Sequence, residues 1–166
     1  MTDATPPDAT ESDSVFPGTS PPGPADDVRS AFQKLVNYRV VEVREGYARV
    51  ELDLDERHIN RNGVLHGGAL TTLIDVAGGR CGTFCPVPGH HRRGVTVSLT
   101  TGFHRGVRHG RLIAEARQMD TGTRRIFTAT IEVRNEAGLL VGTGHGTYKY
   151  MRGSEKPEGV PIKPAP

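Results

Sequence analysis

Residues 58–84 read HINRNGVLHGGALTTLIDVAGGRCGTF, and this stretch decides the fold. Its first half, up to Gly68, mixes polar residues with glycines and predicts a loop. Its second half repeats apolar residues at intervals of three and four, which predicts an amphipathic helix over 68–84. The apolar positions are Leu70, Leu73, Ile74, Ala77, Cys81 and Phe84. A polar loop with several glycines therefore leads directly into a long helix.

One acid, Asp75, lies on or beside this apolar stripe, where a carboxylate is unfavourable unless it has a partner or a task. A seven-residue step, as from Gly68 to Asp75, returns a side chain to within roughly 20° around the helix. The acid is thus on the side of the helix N-terminus, whose N–H groups are unpaired and electropositive. The glycines allow another molecule to approach the backbone closely. Donors for a developing oxyanion together with a carboxylate are what acyl transfer needs.

Elsewhere the apolar pattern has a period of two, which predicts strands. A short helix capped by Asp26 or Asp27 comes first, with an apolar face that includes Phe32 and Leu35. The predicted strands cover 38–44, 47–54, 94–103, 111–119, 125–134 and 139–150. Short turns, among them one at 120–122, join the strands and predict an antiparallel sheet. That sheet must cover the apolar stripe of the long helix.

Proline-rich sequence flanks the predicted domain on both sides. Residues 1–24 are acidic and contain no Lys or Arg, so we expect a disordered tail. Residues 25–151 form one predicted domain, and residues 152–166 form a second proline-rich, disordered tail. A chain of 166 residues is long enough for one such domain with a real core.

The composition argues against several classes of function. The net charge is only +2 and there is no tryptophan, which disfavours a nucleic-acid-binding surface. No apolar run is long enough to cross a membrane, and the acidic start lacks an apolar leader, so we expect a cytoplasmic protein. In that compartment Cys81 and Cys85 are reduced thiols. Their spacing fits no strong metal template, and no metal site is predicted.

The sequence resembles the hotdog-fold acyl-CoA thioesterases, in particular the PaaI-like group of phenylacetic acid degradation. The resemblance covers roughly residues 40–150 and depends on the frame N-x-x-G-x-L-H-G-G-(x)6-D. Its members are Asn60, Gly63, His66, Gly67, Gly68 and Asp75. The ending GLLVGTGHGTY, residues 138–148, is also similar to that group. The resemblance implies an α+β hotdog fold, an antiparallel sheet wrapped around one long central helix.

The resemblance also implies an activity, the hydrolysis of an acyl- or aryl-CoA thioester to a free acid and CoA without a cofactor. Asp75 would act as general base or nucleophile, and the N–H of Gly67 would polarise the carbonyl. Asn60 would orient water or substrate, and His66 would support the loop and contact the carbonyl region. The active sites would lie at the subunit interface of a homodimer or homotetramer.

Further substrate contacts follow from the same resemblance. Gly68 and Thr96 would line the site, and Arg105 and Arg108 are candidates for binding the phosphates of CoA. Two departures from the family are Gly106, where a proline is frequent, and Arg80, where a small residue is usual. The residues alone leave plainer interpretations open: a core acid with a hydrogen-bond partner, and arginines on a solvated surface. Two rival functions also remain, a non-catalytic acyl-CoA sensor and a hotdog enoyl-CoA hydratase or dehydratase.

Overall fold

The computed structural model describes residues 29–119 and 125–162. The predicted tail at 1–24 and the turn at 120–122 lie outside these residues, as do Asp26 and Asp27. The first helix is capped by Ser30 instead, so the predicted cap at Asp26 or Asp27 is wrong. Helix α1 is Ala31–Val36 and helix α2 is Gly67–Gly82, with a 3-10 turn at Glu56–His58 between them. The main strands are β1 Arg39–Arg44, β2 Tyr47–Asp53, β4 Gly94–Phe103, β5 Arg111–Met119, β6 Ile126–Asn135 and β7 Leu140–Tyr150. Two short strands, β3 His90–His91 and β8 Val160–Pro161, form a separate ribbon.

Six strands form one sheet in the order β1-β2-β5-β6-β7-β4, and every neighbouring pair is antiparallel. Helix α2 contacts all six strands of this sheet. The predicted α+β hotdog arrangement, an antiparallel sheet around one long helix, is therefore confirmed. Strand β4 is at the edge of the sheet, because it pairs only with β7.

The core lies between α2 and the inward-facing side of the sheet. The alternation in the sequence identified this side correctly: Ala48, Val50 and Leu52 of β2 and Phe127, Ala129, Ile131 and Val133 of β6 are all buried. On α2 the buried residues include Leu70, Leu73, Ile74, Ala77 and Cys81. The predicted helical stripe is thus the face that packs on the sheet.

Glycines in β7 allow α2 to lie close to the sheet. A Cβ at Gly142 would be 2.9 Å from a methyl carbon of Leu70, and a Cβ at Gly144 would overlap the Ile74 side chain. Hydrogen atoms at these positions leave room for branched side chains of α2. The repeated glycines of the GLLVGTGHGTY stretch, residues 138–148, therefore have a packing role.

The alternating sequence of strand β4 predicts a buried apolar face and an exposed polar face, and the structure differs from this expectation. Val95 and Val97 are 48% and 58% exposed, and the pairing of β4 with β7 is irregular between Thr96 and Ser98. Leu99 of this strand packs against the core, whereas Val95 and Val97 have no covering layer in the described chain.

The segment after β7 also differs from the prediction. Residues 152–162 fold back against the segment that follows α2, instead of forming a disordered tail. Ser154 is fully buried, its hydroxyl accepts from the Arg93 N–H at 3.0 Å, and β8 pairs with β3. Residues 163–166 lie outside the described chain. Backbone and side-chain hydrogen bonds hold this proline-rich stretch in place, and its composition did not predict them.

Among the described residues, no helix combines the length and the apolar character that crossing a membrane would need.

Candidate active site

The loop before α2 is built around Asn60. Its side-chain oxygen accepts from the backbone N–H of Asn62 at 2.8 Å and of Val64 at 3.4 Å, and its own N–H donates to the Val64 carbonyl. Gly63 completes the turn with a φ of 73°, which favours glycine. The carbonyl oxygen of the Asn60 side chain is therefore engaged in the turn, and its amide nitrogen is the end that can face a substrate.

His66 is the N-cap of α2. Its Nδ1 accepts from the Gly68 N–H at 2.9 Å, so a neutral ring carries its proton on Nε2. His66 itself is exposed, and its N–H donates to the His58 carbonyl at 2.7 Å. The side chain thus fixes the first turn of the helix, and it leaves one donor facing solvent.

The next N–H in the chain, that of Gly67, has no hydrogen-bond partner among the described residues. It is the first residue of α2, where no intrahelical acceptor exists. A Cβ here would lie 3.2 Å from the ring of Phe103, so the missing side chain keeps this approach open. The arrangement leaves a backbone donor, at the positive end of the helix, available to a carbonyl oxygen.

Asp75 is half-buried on α2, next to Leu73 and Ile74, which are buried. Thr96 Oγ1 donates to Asp75 Oδ1 at 2.7 Å. The structure therefore brings together Thr96 and Asp75, two of the residues that the sequence analysis named for the site. A hydroxyl that donates to one carboxylate oxygen orients the other and leaves it accessible.

Tyr148 contacts Asp75 from the sheet side of α2, and the sequence analysis did not identify it as a site residue. It is opposite Thr96 across the β4–β7 pair, its ring stacks on Phe127, and its hydroxyl donates to the Asp75 backbone carbonyl at 3.4 Å. Burial, followed by the charge of Asp75, raises the pKa of the Tyr148 hydroxyl, so it remains a proton donor. Only the tertiary packing of β7 under α2 reveals this contact.

Arg108 lies beside the Asn60 turn, where its Nη1 donates to the Gly63 carbonyl at 3.3 Å. The loop that carries it is tied to the same turn by the Leu65 N–H, which donates to the Val107 carbonyl at 2.7 Å. Arg105 is exposed on that loop. The two predicted phosphate-binding arginines are therefore on one basic loop next to the helix start.

Cys81 and Cys85 are free thiols. Burial raises the pKa of the Cys81 thiol to about 12, which keeps it protonated and unreactive at neutral pH. Within residues 29–119 and 125–162, no group of three metal-ligating side chains lies together. Among the described residues, Asp75 is the group that the geometry offers for acid–base or nucleophilic work next to α2.

In the described part of the chain, cavities lie near both ends of α2. A cavity of about 970 Å³ lies at its C-terminal end beside Cys81 and Gly82, and none of the predicted site residues lines it. A smaller cleft of about 310 Å³ lies between α1 and the first turns of α2, and His66 and Gly68 are among its lining residues. The smaller cleft is therefore the one that adjoins the candidate site.

Comparison with known proteins gives a consistent assignment. Residues 62–141 match the thioesterase superfamily. A relative from Archaeoglobus fulgidus, which carries the provisional name of an esterase, is 29% identical over 69% of this chain and 71% of its own length. The solved structure of a conserved protein from Pseudomonas aeruginosa is 32% identical, covers 78% of this chain and all of its own, and superposes with a TM-score of 0.67. A mutant of the phenylacetic acid degradation protein PaaI of Thermus thermophilus is 25% identical over 74% of this chain and all of its own, with a TM-score of 0.63.

Proposed function

Because the chain belongs to the thioesterase superfamily, we propose that it hydrolyses an acyl-CoA thioester to a free acid and CoA. The observation that carries this proposal is the hydrogen bond from Thr96 to the half-buried Asp75 of α2, together with a Gly67 N–H at the start of the same helix that has no partner among the described residues. Asp75 activates water or attacks the carbonyl, and the Gly67 N–H stabilises the oxyanion.

Gly67 and Asp75 can act on the same substrate carbonyl only if they come from two different chains. Asp75 follows Gly67 by eight residues, which is about 12 Å along the helix axis. A carbonyl oxygen bound at Gly67 therefore lies out of reach of Asp75 of the same chain. An antiparallel approach of two α2 helices would place Gly67 of one chain beside Asp75 of the other.

The edge of the sheet supports such an assembly. Val95 and Val97 are exposed on β4, the same strand that supplies Thr96, and one backbone edge of β4 is unpaired in the described chain. An open apolar edge favours association with another strand. We therefore propose a homodimer, alone or within a homotetramer, with the active sites at the subunit interface.

In the reaction, the thioester carbonyl binds the Gly67 N–H. In one route Asp75 takes a proton from water, the resulting hydroxide adds to the carbonyl carbon, and the thiolate of CoA leaves and is protonated. In the other, the carboxylate itself displaces CoA, and water then hydrolyses the mixed anhydride. His66 holds the helix start in both routes, Asn60 orients water or substrate through its amide, and Arg105 and Arg108 bind CoA phosphates.

The experiment that tests the proposal is thiol release across a panel of acyl-CoAs, wild type beside Asp75→Asn. The amide keeps the size of the side chain but cannot act as a base, so we expect turnover to fall by roughly 10² to 10⁴ with an unchanged unfolding midpoint. Near-full activity of the variant would show that another group is the base. Tight binding of intact acyl-CoA by the wild type, with no thiol released, would instead indicate a sensor.

A single turnover in ¹⁸O-labelled water, with enzyme in excess, identifies the anhydride route in which water attacks the Asp75 carbonyl. In the general-base route the label appears in the product acid at the first turnover. In the anhydride route, when water attacks the Asp75 carbonyl, the label enters Asp75 first, where mass spectrometry of the peptide detects it.

A further inference from the structure

Phe103 is an aromatic side chain that lies in the open beside the proposed oxyanion donor. Its ring is 59% exposed, although phenylalanine is among the residues that are most often buried. A Cβ at Gly67 would lie 3.2 Å from Cε1 of this ring and 3.6 Å from its Cζ. The exposed ring therefore forms one wall of the space around the first residue of α2.

The ring flanks the side of Gly67 towards which the backbone N–H points. In an α-helix the Cα–Cβ bond is tilted towards the N-terminus, and the N–H groups of the first turn point out of the helix in the same direction. Among the described residues, the Gly67 N–H has no acceptor. A carbonyl oxygen bound about 2.9 Å from the Gly67 nitrogen would therefore lie next to the ring of Phe103.

Strand β4 holds the ring in this position. Phe103 is opposite Gly142 of β7, and α2 packs closely against Gly142, so the ring is on the face of the sheet towards α2. Because Gly142 has no side chain, the ring has room to reach the start of the helix. Beyond the strand, the backbone N–H groups of His104 and Arg105 both donate to the Val141 carbonyl, at 3.0 and 3.2 Å. The pairing of β4 with β7 therefore sets the position of the ring.

The chain that follows indicates which half of the substrate faces the ring. Phe103 leads directly into the loop with Arg105 and Arg108, which we propose bind the phosphates of CoA. CoA is joined to the carbonyl through sulfur, so the sulfur is on the side of the carbonyl towards this loop. The other ring at the helix start, that of His66, lies against Gly68 and presents a polar Nε2 donor. The aromatic wall is thus on the side of the leaving group.

A thioester sulfur is a suitable partner for an aromatic ring. Divalent sulfur is polarisable and makes favourable contacts at about 5 Å from an aromatic ring, often at its edge. The sulfur is two bonds from the carbonyl oxygen, so it can reach the ring while the oxygen accepts from the Gly67 N–H. An ester oxygen is smaller and less polarisable, and it gains less dispersion energy from the same ring.

We propose that Phe103 is a specificity-determining residue, which contacts the thioester sulfur and thereby selects thioesters over oxygen esters. The contact forms when the carbonyl oxygen binds the Gly67 N–H. This inference rests on the proposed thioesterase function, and it concerns the leaving group of the reaction.

The first test compares a CoA thioester with its oxygen ester, in which an oxygen atom replaces the sulfur and the acyl group is unchanged. The acyl group is the one that the wild type hydrolyses fastest in the thiol-release panel, and chromatography of the free acid follows both reactions. In Phe103→Leu we expect the ratio of kcat/KM for the thioester to that for the oxygen ester to fall about fivefold, because leucine has no ring. A ratio equal to that of the wild type would overturn the proposal.

Two further variants are the controls for this test. Phe103→Tyr keeps the ring, so it should keep the wild-type ratio. Phe84→Leu makes the same chemical change at a partly exposed phenylalanine beside the larger cavity, at the other end of α2, and it should leave both rates unchanged. A fall in the ratio of Phe103→Tyr as large as that of Phe103→Leu would show that the ring is not responsible, and it would also overturn the proposal.

Isothermal titration calorimetry tests the contact without turnover. The Asp75→Asn background slows hydrolysis, so that both esters can be titrated intact. Adding Phe103→Leu to this background should weaken the binding of the thioester about fivefold and leave the binding of the oxygen ester unchanged. Equal losses for the two esters would contradict a contact with the sulfur.

These outcomes separate the two proposals. If the wild type hydrolyses no thioester, the proposed function fails, while calorimetry still reports whether the ring discriminates sulfur from oxygen. If thioesters are hydrolysed and Phe103→Leu slows both esters equally, the proposed function stands and the role of Phe103 is disproved. A chain that binds neither ester would contradict both proposals.

Discussion

The proposed mechanism depends on one backbone donor, the Gly67 N–H, and a substitution can remove this donor without disturbing the helix. Proline is favoured at the first position of a helix, and His66, with φ −69° and ψ 131°, already has the conformation that a residue before proline adopts. We expect Gly67→Pro to lower kcat by roughly 10² to 10³, the usual effect of losing one oxyanion donor. Steady-state kinetics would measure this.

Gly67→Ala is the matched control for that variant. It introduces the same crowding against Phe103, where a Cβ would lie 3.2 Å from the ring, but it keeps the N–H. Equal losses in the alanine and proline variants would show that crowding, and not the missing donor, impairs the enzyme.

The buried thiol of Cys81 gives a pH dependence with a definite sign. Its pKa rises from an ordinary value of 9.0 to about 12 in the folded protein because burial disfavours the thiolate. Above pH 9 the unfolded chain therefore loses a proton that the folded chain retains, and the free energy of unfolding falls as pH rises, by at most about 1.4 kcal/mol per pH unit. This stabilisation is fully present below pH 9.

Urea denaturation between pH 8 and pH 10 would measure the slope. In the lower part of that window the thiol dominates the slope, because the ordinary tyrosine value is 10.0 and the raised pKa values of Tyr38, Tyr47, Tyr148 and Tyr150 add their effect mainly above it. Cys81→Ala should flatten the slope and Cys85→Ser should keep it. A wild-type slope that persists in Cys81→Ala would assign the effect to another group.

At the scale of elements, the position of α2 depends on the glycines of β7. A Cβ at Gly144 would overlap the Ile74 side chain, so Gly144→Ala must displace α2 or strain the core. We expect a loss of about 1–3 kcal/mol in the free energy of unfolding, measured by chemical denaturation. Because Asp75 follows Ile74 directly, activity should fall as well.

Gly106→Ala serves as the control for this prediction. The nearest atom to a Cβ there is a Val64 methyl carbon at 3.6 Å, an ordinary contact. A destabilisation as large as that of Gly144→Ala would show that a general effect of replacing glycine, and not the fit of α2 on β7, is responsible.

At the scale of the whole molecule, the separation of Gly67 and Asp75 along α2 predicts complementation between inactive chains. An active site that takes its acid from one chain and its donor from the other is intact once in a mixed dimer of Asp75→Asn and Gly67→Pro. If the two chains pair at random about a two-fold axis, mixing them should restore about a quarter of wild-type activity.

The thiol-release assay on co-refolded mixtures would measure this recovery, with each variant refolded alone as the control. Mixtures that remain as inactive as the separate variants would place both groups of an active site in one chain, and the shared site would have to be abandoned.

The sequence by itself determined the long helix, the six main strands, most of the buried faces and the fold class. Those properties are local: the three-and-four spacing from Leu70 to Cys81 and the alternation in β2 and β6 identify the face that each element buries. The frame from Asn60 to Asp75 likewise indicated the family before any contact was known.

Only the tertiary structure decided how the site is assembled. Thr96 is 21 residues from Asp75, and Tyr148 is 73 residues away, so their contacts depend on β7 and β4 pairing beneath α2. Ser154 folds back on Arg93, and α1 closes a cleft over Gly68, through hydrogen bonds that no local pattern encodes. Periodicity specifies which face of an element is apolar, but the partner of each polar group is fixed only when distant segments pack together.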